Sequence, residues 1–71
     1  MEILIFKTNI SSPIRIQAIW DSLKLLGINN FNIDFLAADK ILRVVGEHLI
    51  SAERIIEALG RLGYRCEELN Y

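Results

Sequence analysis

The sequence predicts an α+β fold with its elements in the order β-α-β-β-α-β. Three observations carry this. The hydrophobic pattern switches to a helical period twice, and each helical stretch is flanked by short runs of β-forming residues. Each helical stretch also ends on a glycine, Gly27 and then Gly63. Finally, the two halves echo each other: Ile19, Leu23, Leu26-Gly27-Ile28 matches Ile55, Leu59, Leu62-Gly63-Tyr64 at one constant offset.

Taken in order, Ile3-Leu4-Ile5-Phe6 is a short apolar run suited to a central strand. Thr8 to Ser12 is a loop. From Pro13 the spacing becomes helical, with Ile16, Ile19, Trp20, Leu23 and Leu26 on one face at 100° per residue. Phe31, Ile33 and Phe35 alternate with Asn30, Asn32 and Asp34, the pattern of a half-buried strand. Ala37 to Lys40 forms a turn, Ile41 to Val45 a third strand, and Gly46 ends it. Ser51 is placed to cap a second helix, with Ile55, Ala58, Leu59 and Leu62 facing inward. Tyr64 to Leu69 is the last strand. Two such split β-α-β units give a ferredoxin-like sandwich. Right-handed crossovers then set an antiparallel sheet of order 4-1-3-2 with two helices on one face.

The 71 residues make one domain, 1–71, without a linker or low-complexity tract. A chain this size buries roughly 60% of the surface it would expose unfolded, so its core is thin. A hydrophobic fraction of 52% excludes intrinsic disorder. Eight basic and nine acidic residues give a net charge of −1, which argues against a nucleic-acid partner held by phosphate contacts. Cys66 is the one cysteine, so no disulfide forms within the chain. The stretch MEILIFK reads as neither signal peptide nor membrane span, and a cytoplasmic setting without membrane contact is expected.

The predicted topology gathers the Thr8–Ser12 loop, the Ala37–Lys40 turn and the Gly63-Tyr64 junction at one end of the sheet. His48 follows the third strand and falls at the other end, too far to assist Ser12. One imidazole is not a metal site.

The chain resembles the heavy-metal-associated domains, which include small copper chaperones and the N-terminal modules of metal-exporting ATPases. The resemblance rests on Phe6-Lys7-Thr8-Asn9-Ile10 before the first helix, Leu26-Gly27-Ile28 after it, Ile33-Asp34, Asp39-Lys40-Ile41-Leu42, and Leu62-Gly63-Tyr64. It covers nearly the whole chain and implies the same fold. That family's metal is held by a Cys-x-x-Cys pair in the first loop and the first helical turn, because soft thiolates select Cu(I). Here Ser12 and Arg15 stand at those positions, or Ser11 and Ile14 in a register shifted by one. Neither register supplies a thiol, and Arg15 brings a positive charge where a cation would sit. The resemblance therefore implies the fold without the metal function, and no cofactor is expected. Cys66, in the last strand, reads as a small buried hydrophobe.

Two uses of the loop remain. Ser12 is a good N-cap, followed by Pro13 at the first helical position, a pairing that contributes about 1 kcal/mol. Alternatively Ser11, Ser12 and Arg15, with Lys40 or Arg65 nearby, form a small-anion site at the helix N-terminus. Acylphosphatases use a related fold with a loop arginine, but their loop pattern does not match. Catalysis has no support: no nucleophile–base pair, carboxylate dyad or glycine-rich phosphate loop is present.

The open face of the sheet offers a better lead. Lys7 and Arg43 avoid the core, which fixes the pleat. Leu4, Phe6, Leu42 and Val44 then face the helices, while Ile3, Ile5, Ile41 and Val45 form an aliphatic patch on the uncovered side. Such patches mark partner surfaces. A protein partner or a homodimer through this face is the expected mode of action, with an anion sensor or a residual role in metal transport as alternatives. Ile14, Ala18 and Leu25 make a second, outward stripe on the first helix.

Overall fold

The computed structural model describes residues 2–47 and 49–69. The apolar run near the start lies within β1 (Glu2–Thr8). The chain then passes through α1 (Ile16–Lys24), β2 (Ile28–Asp34), β3 (Ile41–Gly46), α2 (Ala52–Arg61) and β4 (Cys66–Glu68). The sheet order is β2-β3-β1-β4, which is the expected 4-1-3-2 read from the other edge. All three pairings are antiparallel. No described helix is long and apolar enough to cross a membrane.

The pleat follows the reading from Lys7 and Arg43. Phe6, Leu42 and Val44 are fully buried together with Ile19 and Leu23 of α1 and Ile55 and Leu59 of α2. Both helices therefore cover one face of the sheet. Ile10 of the β1–α1 loop, Ile28 where the chain enters β2 and Ile50 ahead of α2 complete the buried cluster. Gly46 lies against Ile50: a Cβ at that position would lie 2.7 Å from Ile50 Cδ1 and 3.0 Å from its Cγ1. Such an approach forces neighbours to move.

The repeat seen in the sequence is a repeat of structure. After α1 the amide of Gly27 donates to Lys24 C=O (3.0 Å), and after α2 the amide of Gly63 donates to Gly60 C=O (3.0 Å). Both glycines adopt left-handed backbone, with φ of +83° and +93°. Only glycine takes that conformation without a steric penalty.

Three expectations need correcting. First, α1 starts at Ile16 rather than at Pro13, and Ser12 is not its cap. The N-cap residue is Arg15, whose side chain makes no capping bond. The cause is Ile10, which is fully buried. The chain dips into the core there and then needs the Pro13–Ile16 turn, closed by Ile16 N–H to Pro13 C=O at 3.0 Å, before a helix can begin. The shift also leaves Ile16 on the rim, 37% exposed, rather than on the inner face. Second, β2 begins at Ile28, two residues before the alternating stretch, with a bulge between Ile28 and Asn30. Third, β4 is only three residues long. Ser51, by contrast, caps α2 as expected, accepting from Arg54 N–H at 3.4 Å.

Candidate functional site

The end of the sheet where β1 stops gathers the three predicted segments. Thr8 is the pivot. It is a buried polar residue whose hydroxyl donates to Lys40 C=O (2.6 Å) and accepts from Ile10 N–H (3.1 Å). Its own amide donates to Asp39 C=O (2.9 Å). The β1–α1 loop is thereby tied to the β2–β3 turn. Asn9 ties it to the approach to β4: its side-chain oxygen accepts from Arg65 N–H (2.8 Å), and its amide donates to Arg65 C=O. Lys40 holds an unusual left-handed φ of +46°, and its ammonium donates to Phe35 C=O (2.8 Å).

Arg15 is engaged as well. Its Nη1 donates to Leu62 C=O (2.7 Å), at the C-terminal end of α2, and its guanidinium lies 5.7 Å from the centre of the Tyr64 ring. A cation at that end answers the partial negative charge of the helix's free carbonyls. Ser11 is exposed and Ser12 half-buried. The structure thus brings Ser11, Ser12 and Arg15 into one loop, but Arg15 turns toward α2 and Lys40 toward its own hairpin.

No group of three or more His, Cys, Asp or Glu residues placed to hold a metal occurs among the described residues. Cys66 pairs with Thr8 across β1 and β4, and is half-buried against the core. Burial pushes its thiol up to about 11. At neutral pH it is therefore the protonated thiol, a poor ligand and nucleophile. His48 lies outside the described residues.

On the open face, Ile3 sits opposite Val45, and Ile5 opposite Arg43. Ile3 is 48% exposed, while Ile5, Ile41 and Val45 are half-buried. Arg43 interrupts the aliphatic surface between Ile41 and Val45. The resulting face is aliphatic with a cationic insertion. Ile5, Ile41 and Arg43 also border a shallow depression that runs to Phe35 and Leu36. Leu36, 97% exposed, adds an apolar residue at this end that the sequence reading does not include, while Ile14 of the second stripe is 88% exposed. The signal for Leu36 was there: an apolar residue inside a turn whose start is pinned by Asp34, which accepts from the amides of Leu36 and Ala37. Leu25 of the second stripe is 88% exposed, while Ala18 is half-buried.

No protein-family model matches the chain, and no relative is found among curated proteins. Solved structures do match. The yeast copper transporter domain Ccc2a, solved in apo and Cu(I)-loaded states, superposes with a TM-score of 0.80 at 19% identity, over 99% of this chain and 97% of that one. The N-terminal domain of PacS from Synechocystis PCC6803 gives 0.76 at 14% identity, over 99% and 100% of the two chains. The Atx1–Cu(I)–Ccc2a complex gives 0.79 at 19% identity, over 99% and 97%. The chain shares the ferredoxin-like fold of these three structures over essentially its whole length.

Proposed function

We propose that the chain is a non-catalytic, cytoplasmic interaction module on the fold of copper-transport domains, lacking their kind of thiolate site. It acts through the open face of its sheet, at Ile3, Ile5, Ile41 and Val45, on a protein partner or a second copy. The observation that carries this is the state of the loop. The two ligand positions implied by the resemblance hold Ser12 and Arg15, and Arg15 is bound to Leu62 C=O and lies over the Tyr64 ring. A metal there would meet a guanidinium, which has no lone pair to offer, and a serine hydroxyl, which is a poor ligand for a soft ion.

One structural neighbour is a complex between two proteins, Atx1 and Ccc2a, with Cu(I). Association of a domain with this fold is thus compatible with its architecture. In the present chain the aliphatic face supplies the apolar contact, and Arg43 within it supplies a charged group for orientation. Pull-down and sedimentation of the wild type against Ile5→Lys test this reading. The expected outcome is that Ile5→Lys loses the captured partner, or any association that depends on the open face. A wild type that neither self-associates nor captures a partner removes the open face from consideration.

A further inference from the structure

The sheet has two edges, and they are not alike. β4 is three residues long and carries Glu67 and Glu68, the short, charged form that resists pairing. β2 occupies the equivalent place in the first half of the repeat. It runs for seven residues and carries no charge before Asp34. No strand pairs with its outer side among the described residues.

Which main-chain groups point outward follows from the hydrogen bonds. Leu69 N–H donates to Ile5 C=O (2.8 Å), so the main chain of Ile5 faces β4 and not β3. Alternation along the antiparallel pairs then directs Leu42 and Val44 toward β1, and Ile41, Arg43 and Val45 toward β2. Their partners Asp34, Asn32 and Asn30 spend their main-chain groups on β3. Phe31 and Ile33, between them, aim theirs out of the sheet. The Phe31 amide agrees: it is held by the exposed side chain of Asn30, at 2.9 Å, rather than by β3.

We propose that this edge pairs with the same edge of a second copy, antiparallel and two-fold symmetric, with Asn32 on the axis. Phe31 of each copy then exchanges both main-chain hydrogen bonds with Ile33 of the other, four bonds in all. The register is self-complementary. Asn32 meets Asn32, amide to amide. Asn30 releases the Phe31 amide and faces Asp34 of the second copy, an amide donor against a carboxylate. No like charges are opposed. On the helix side Phe31 comes beside Ile33 of the second copy. Trp20, whose ring centre is 5.1 Å from that of Phe31, and the rim residue Ile16 flank the seam. The inference does not rest on the open-face reading. The edge dimer leaves both open faces free and joins them into one eight-stranded surface.

A seam of this size belongs to the class of weak interfaces that bury less than about 1,200 Å². The test is sedimentation of the full chain from about 10 μM to about 1 mM, with Asn32→Lys, Asn32→Asp and Ile5→Lys. Asn32 is exposed, so its substitution leaves the core intact, which circular dichroism checks. The expected result is a wild-type dimer that dissociates on dilution, an association at least about tenfold weaker for Asn32→Lys, and recovery when Asn32→Lys is mixed with Asn32→Asp at low salt. Ile5→Lys leaves this dimer unchanged. Any of four results overturns the proposal: a monomeric wild type at the top concentration, wild-type association of Asn32→Lys, no recovery on mixing, or a dimer lost in Ile5→Lys but kept in Asn32→Lys. The last assigns association to the open face instead.

Discussion

Arg15 belongs to the turn before one helix and holds the end of another. Its bond to Leu62 C=O and its place over the Tyr64 ring join α2 to the loop that opens α1. Because Arg15 is exposed, solvent screens the contact, and Arg15→Ala is expected to cost about 1 kcal/mol in denaturant unfolding. Arg15→Lys retains the charge and loses the planar guanidinium that reaches Leu62 C=O and lies over Tyr64, so it should fall between the wild type and Arg15→Ala. Cys66 makes a different residue-scale prediction. Burial raises its pKa from 9.0 to about 11. Below pH 9 the thiol is protonated in both folded and unfolded chains, and its contribution to stability does not vary. Between about 9 and 11 the unfolded chain ionises first, so stability falls as pH rises. Relative to Cys66→Val, the wild type should hold a constant difference in unfolding free energy up to pH 9 and lose ground above it. Thiol alkylation should be slow at neutral pH and accelerate through the same window.

At the scale of elements, the two helices contrast in how they start. Ser51→Ala removes the one side-chain cap of α2 and should cost about 1 kcal/mol, whereas Ser12→Ala should stay within about 0.5 kcal/mol because Ser12 caps nothing. Thermal or denaturant unfolding of the two variants separates them. This contrast shows where the sequence was legible. Periodicity located both helices, and Gly27 and Gly63 marked their ends, because a left-handed residue is a local requirement that composition displays. The start of α1 was not legible. Ser12-Pro13 carries every local sign of a helix start, but burial of Ile10 overrides it, and burial is a property of the whole core. The same holds for Arg15, whose partner Leu62 is far along the chain, and for Thr8, whose hydroxyl is satisfied only once the hairpin turn arrives beside it.

For the whole molecule, strand order and the face carrying the helices were readable, since two split β-α-β units with right-handed crossovers leave one arrangement. The open face was readable as a set of residues but not as a surface: the register that sets Arg43 against Ile5 is needed to see where the aliphatic area is broken. The whole-molecule prediction concerns copper. Equilibrated with Cu(I) under reducing conditions and then freed of loose metal, the protein should retain no stoichiometric copper, and tight one-to-one retention would restore a metal role to the loop. A last consequence follows from the place of β1 between β3 and β4. Of the four strands, the first to be synthesised is an inner one, and its second neighbour is the last of the four. Only the β2–β3 hairpin pairs segments close in sequence. At about 5–20 residues per second, β1 waits several seconds before residues 66–68 exist to flank it. Until then the run Ile3–Phe6 has β3 as its only strand neighbour, and the sheet closes only once β4 has been made.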